Sequence, residues 1–151
     1  MSVTVDDNSA RASTVVDASP EVVFDFLRRP ANHSVVSGDH SVRRVISGPE
    51  VLGAGDRFGM AMVMGLPYRI HSKVVEFEEN RRIAWCHIGG HRWRWELEPA
   101  GEGGTKVTET FDMSTSRAPL VLRLIGYPKR HERNLAASLR NVATHFASGG
   151  V

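Results

Sequence analysis

Glu109 is the acid in this chain whose neighbours give it most chemical interest. Val107 and Phe111 flank it at i−2 and i+2, so on a strand the three residues share one face. If the apolar pair turns inward, the carboxyl turns inward with it. A buried carboxylate must find partners or hold its proton more tightly. Such a group can move a proton or anchor a ligand. The competing expectation, slightly favoured by the residues, is a structural acid at a cavity mouth, paired with Arg or His. His131 is the second candidate for acid/base work. It lies on the apolar stripe of a C-terminal helix, where a satisfied structural histidine is the commoner outcome. No second acid or base is securely placed beside Glu109.

Other constellations point away from familiar catalysts. Cys86, His87 and His91 are close in sequence, but a zinc site needs three or four convergent ligands, and no HExxH or CxxC spacing is present. Solvent-facing or singly bonded histidines are expected instead, with no metal and no cofactor. Gly53-Ala54-Gly55 lacks the third glycine and the βαβ setting of a dinucleotide loop. No G-x-S-x-G elbow exists, so a hydrolase triad has no support. Arg92-Trp93-Arg94-Trp95 has the composition of a nucleic-acid patch, yet on a strand the rings and the guanidinium groups point to opposite faces. The arginines read as a solvated face, with Trp93 and Trp95 walling a cavity and no nucleic acid as partner. Met60, Met62 and Met64 alternate with Ala61 and Val63. Flexible thioethers suit an adaptable apolar pocket and suit ordinary core filling equally well. Tyr68 and Tyr127 offer amphipathic rings to a ligand or to water.

The composition narrows the classes. A chain of 151 residues is expected to form one domain. It buries about 70% of its unfolded surface, enough for a core and a pocket. Lys plus Arg number 19 against 17 Asp plus Glu, and a net charge of +2 is too small to argue for nucleic acid or an anionic membrane by itself. Cys86 is the single cysteine, which fits a reducing compartment. Met1 to Ser13 has no apolar run like a signal peptide's, and no stretch approaches the ~18 apolar residues of a membrane span. A cytoplasmic protein without stable membrane insertion is expected.

The elements that must position these residues follow from turn chemistry and periodicity. Residues 1–10 read as a flexible tail and 11–148 as a single ligand-binding domain. A short strand, Thr14–Asp17, precedes a helix that Ser19 can cap and Pro20 can open. Pro30 ends that helix, and residues 30–36 suit a second short one. Strands are predicted over 42–47, 57–64, 68–78, 81–88, 91–98 and 105–113. Gly89-Gly90 signals a two-residue hairpin, which would pair Cys86 with Trp93 and turn Ile83 and Trp85 outward. A bulge or a longer loop would flip that register, and both remain open. The last helix is expected from about Pro119 to Ala147, with Leu124, Leu135, Leu139, Val142 and Phe146 on one stripe and a kink or break at Pro128.

Several of these segments have a familiar look. Ala18-Ser19-Pro20-Glu21-Val22-Val23-Phe24-Asp25-Phe26 resembles the opening of the SRPBCC superfamily, which includes START lipid-transfer domains, the birch-pollen-allergen fold and polyketide cyclase/dehydrase-like proteins. Gly53–Phe58, Arg81–Trp85, Trp95–Pro99 and Gly104–Thr108 are similar too, so the resemblance spans roughly residues 11–147. It implies an α+β helix-grip fold: a bent antiparallel sheet of about seven strands around the C-terminal helix, with an apolar cavity between. It transfers no catalytic residue, because these motifs are turns and core positions.

The function expected is binding of an apolar or aromatic small molecule, lipid or polyketide-like, in that cavity. Phe58, Met60, Met62, Tyr68 and Ile70 are candidate lining residues, as are Trp93, Trp95, Phe111, Tyr127 and Leu135. One alternative is a polyketide cyclase/dehydratase-like enzyme using Glu109 and His131. Another is a protein-interaction module like the chaperone-activator branch. Convergent polar groups in a closed cavity would favour the enzyme, a smooth apolar tunnel the carrier, and a filled core the interaction module.

Overall fold

The computed structural model describes residues 1–6, 8–118, 120–121 and 127–148; the side chains of residues 127–130, Tyr127 among them, lie outside the described set. The first helix forms for the reasons its sequence suggests. The Ser19 hydroxyl accepts from the Val22 N–H at 3.4 Å, and Pro20 occupies the first turn of α1 (Pro20–Leu27), where a missing N–H costs nothing. Val23, Phe24, Phe26 and Leu27 are buried. After it, Pro30–Asn32 makes one 3-10 turn, and α2 (His33–Val36) follows directly.

Eight strands make one antiparallel sheet. They are β1 (Ser2–Val5), β2 (Ser9–Val16), β3 (Val42–Ser47), β4 (Arg57–Met64), β5 (Leu66–Glu78), β6 (Arg82–Cys86), β7 (Arg92–Ala100) and β8 (Gly104–Asp112). Their spatial order is β1-β2-β8-β7-β6-β5-β4-β3, so every consecutive pair except β2/β3 is adjacent. With its C-terminal helix, this is the helix-grip arrangement. The loose tail expected over residues 1–10 needs correction: Ser2–Val5 is an edge strand on β2, with Val3 opposite Ala12 and packed against the core. Ser2-Val3-Thr4-Val5 alternates polar and apolar side chains, but over only four residues, the shortest run in which a strand period can show.

The β6–β7 connection decides the open register. Residues 87–91 form the loop, and Ile83 pairs with Trp95, Trp85 with Trp93, and Cys86 with Arg92. The longer loop turns Ile83 and Trp85 inward; Ile83 is fully buried. On the outer face Arg94 binds Glu76 at 2.7 Å and Asp112 at 3.1 Å, and Arg92 binds Glu76 at 2.9 Å. These arginines are therefore ion-paired and largely covered, where a freely solvated face was expected.

α3 (Tyr127–Ala147) closes the sheet's concave side. Leu135, Leu139, Val142 and Phe146 are buried, and the helix packs chiefly on β2 and β8. Fully burying each such side chain contributes roughly 1.5–3 kcal/mol. Pro128 falls on the second residue of α3, a first-turn position that needs no kink; the expected Pro119 start and Leu124 lie outside the described residues. Gly38, at the α2–β3 junction, meets α3 so closely that an added Cβ would collide with the Asn134 carbonyl.

Candidate functional site

The sheet curves away from α3 at one end and leaves a cavity of about 180 Å3. Alternation builds its walls. Odd positions of β6 and β7 contribute Trp85, Trp93 and Trp95, and even positions of β4 and β5 contribute Phe58, Met60, Met62, Met64, Tyr68, Ile70 and Ser72. β8 adds Glu109, the β6–β7 loop adds His87 and His91, and α3 adds His131, Asn134 and Ser138. His33, from α2, completes the aromatic wall: its ring stacks on Trp85 at 4.7 Å and meets Phe58 edge-on.

Glu109 is 5% exposed. Burial raises its proton affinity well above the ordinary carboxylate value, and a hydrogen bond from the Ser138 hydroxyl opposes that rise only in part. Its Oε2 atom has no hydrogen-bond partner among the described residues, and the same is true of Asn134 Oδ1. Asn134 and Ser138 lie four residues apart on α3 and so share one helix face. Arg or His, the partners expected of a structural acid, do not account for Glu109.

The histidines divide by partner. The His33 Nε2–H donates to the Leu27 carbonyl at 2.9 Å, because a carbonyl can only accept. Burial lowers His33 to about 4. His87 Nδ1 lies 2.7 Å from the Ser72 hydroxyl, and burial, with His91 adding, lowers His87 to about 4 as well. His91 is lowered by burial and by His131. His131 stacks on Phe111 with centroids 4.2 Å apart and planes within 10°. Burial thus favours the protonated form of the Glu109 carboxyl and the neutral forms of the His33, His87 and His91 imidazoles. Among the described residues no group of three His, Cys, Asp or Glu side chains is arranged to hold a metal ion.

Of the residues singled out from sequence, Glu109, His131, Phe58, Met60, Met62, Tyr68, Ile70, Trp93 and Trp95 all border this cavity. Phe111 and Leu135 do not: both are fully buried, and Phe111 acts from behind as the ring on which His131 rests. The side chain of Tyr127 lies outside the described residues.

The sequence of residues 8–147 matches a family described as "Polyketide cyclase / dehydrase and lipid transport". The chain belongs to this family. An uncharacterized protein of Mycobacterium tuberculosis, Rv0088, is 35% identical over 99% of the chain and 70% of its own length. Among solved structures, the family fold is shared with protein Ms6760 of Mycobacterium smegmatis, at TM-score 0.72 and 13% identity over 99% of this chain and 98% of that one. It is shared too with the ZhuI aromatase/cyclase of Streptomyces sp. R1128, at TM-score 0.70 and 18% identity over 95% and 98% of the two chains. At these identities the structural likeness speaks for fold. Membership and the cavity together support a small-molecule-binding or cyclase role. No helix among the described residues is long and apolar enough to cross a membrane.

Sequence reasoning passed over His33, Ser72, Asn134 and Ser138 as cavity groups, and left the face of Trp85 and His87 open. Ser72 was findable: it lies two residues from Ile70 on one strand, hence on the same face. His33 and Asn134 were not, because helix packing alone brings them to the cavity.

Proposed function

We propose that the protein binds a neutral, flat aromatic molecule carrying hydroxyl and carbonyl groups, such as a polyketide-derived ring system. The observation that carries this reading is the buried Glu109 carboxyl, with one oxygen unpartnered, set in a wall of tryptophan and phenylalanine rings. A protonated carboxyl donates a hydrogen bond and so favours a carbonyl oxygen. Asn134 Oδ1 accepts and so favours a hydroxyl. A buried polar atom left unsatisfied costs about 1–3 kcal/mol, and a ligand that satisfies it recovers that energy. An anionic ligand would meet no Lys or Arg among the described lining residues and would keep its desolvation cost. A filled core would have favoured an interaction module; the cavity supports occupancy instead.

A cyclase/dehydratase-like reaction is the second reading. It is favoured by the polar groups that line one cavity, Glu109 and His131 with the Ser72–His87 pair, which offer proton donors and acceptors to a bound molecule. Calorimetric titration with naphthol tests the binding reading. Wild type should bind, Trp95→Ala should lose most of the affinity, and Glu109→Gln should keep it or weaken it modestly, since an amide N–H can replace the carboxyl O–H. Unchanged affinity in Trp95→Ala would overturn the assignment of the cavity.

A further inference from the structure

The cavity's rim has properties that its interior does not explain. β4 and β5 form a hairpin that turns at Gly65, whose φ of +72° is readily available only to glycine. β6 joins β5 only from Lys73 onward, so the hairpin projects past β6 by about 20 Å of strand. Its tip is apolar and uncovered: Met64 is 67% exposed and Leu66 77%. Tyr68 is exposed beside them, and both Met64 and Tyr68 border the cavity. The β6–β7 loop carries a second apolar tip, Ile88, 86% exposed between the cavity residues His87 and His91.

Charge is segregated around the same strands. Residues 40–47 and 57–73 contain Arg43, Arg44, Arg57, Arg69 and Lys73 and no Asp or Glu, although the whole chain is nearly balanced. None of these cations forms an ion pair among the described residues, whereas Arg28, Arg29, Arg81, Arg82, Arg92 and Arg94 all do. Ala61 pairs with Arg44 on one side and Arg69 on the other, so the two arginines flank one small residue on the outer face.

We propose that this rim docks the protein reversibly on an anionic lipid bilayer, with Met64, Leu66, Tyr68 and Ile88 entering the interface and Arg43, Arg44 and Arg69 meeting lipid phosphates. Apolar tips backed by unpaired cations are the arrangement that interfacial binding requires, and each charge near such a surface adds to the attraction. The apolar groups sit on two separate projecting turns. A fluid interface conforms to that outline, whereas the flat, continuous contact of a standard protein interface does not. Docked this way, the cavity mouth faces the bilayer, where apolar molecules partition. The proposal is independent of what occupies the cavity.

Vesicle flotation tests it, using phosphatidylcholine vesicles with and without phosphatidylglycerol. Expected are binding to the anionic vesicles alone, loss of binding as salt is raised, and at least about tenfold weaker partitioning for the Arg44→Glu/Arg69→Glu pair. Leu66→Ser should weaken partitioning too. Thermal midpoint and naphthol affinity should be unchanged in these variants, which separates this proposal from the cavity reading. No flotation with anionic vesicles, equal flotation of the charge-reversed variant, or burial of the hairpin in a dimer seen by sedimentation would each overturn it.

Discussion

Glu109 on β8 and Ser138 on α3 line the same cavity, where the Ser138 hydroxyl opposes, in part, the effect of burial on the Glu109 carboxyl. The buried Oε2 of that carboxyl has no hydrogen-bond partner among the described residues. Burial favours the protonated form of the carboxyl.

The first prediction concerns this proton. The folded state holds it above the ordinary value of 4.5, so the folded state binds more protons than the unfolded chain once pH exceeds that value. Stability contributed by the protonated group is therefore present at low pH and falls as pH rises above 4.5. Glu109→Gln removes the titration. Its thermal midpoint should gain on wild type as pH is raised from 4.5, in a series of melts. Parallel curves would show that the carboxyl is not perturbed.

His33 has the opposite sign. Its folded value is about 4 against an ordinary 6.5, so below 6.5 the unfolded chain takes up a proton that the folded protein refuses. Stability from neutral His33 is complete above 6.5 and is lost as pH falls towards 4. His33→Phe keeps a ring against Trp85 and removes the titration. Urea midpoints across this window should fall less steeply in the variant, and an equal slope would contradict the assignment.

Leu139 is fully buried under α3. Leu139→Ala should cost about 2–5 kcal/mol in chemical denaturation, as buried leucines generally do. A loss near zero would place the helix stripe outside the core.

Gly38 sets how closely α3 approaches the α2–β3 junction. Gly38→Ala drives a Cβ into the Asn134 carbonyl, and overpacking of this kind costs about 1–3 kcal/mol. The same variant should weaken naphthol binding, because Asn134 moves with the backbone it belongs to. A variant as stable as wild type would mean that the helix relaxes without cost.

Much of the site was legible because strands alternate. Trp93, Trp95 and Leu97 announce one face of β7, and Val107, Glu109 and Phe111 one face of β8. What stayed hidden depends on distant partners. The Gly89-Gly90 pair suggests a two-residue turn, yet Arg117 N–H donates to the Gly89 carbonyl and the Thr115 hydroxyl to that of Gly90, which holds the loop open at five residues, 87–91. Those contacts span a sequence separation that local pattern does not reach. His33 is similar: its stacking on Trp85 requires α2 to fold across the sheet. Phe111 shows the converse, since sharing a face with Glu109 placed it inward but not at the cavity surface.

Arg94 and Trp95 are neighbours in sequence with opposite roles. Arg94 holds the outer-face ion cluster, and Trp95 borders the cavity. Arg94→Ala should lower the thermal midpoint while leaving naphthol affinity unchanged, and Trp95→Ala should lower the affinity. Equal effects on affinity would remove Trp95 from the wall.

The most direct test of the central claim is an NMR titration that follows the indole N–H signals of Trp85, Trp93 and Trp95. Naphthol should shift all three, and naphthoate, its anionic analogue, should leave them in place at neutral pH. Equal shifts with both compounds, or none with naphthol, would contradict a cavity built for a neutral aromatic ligand.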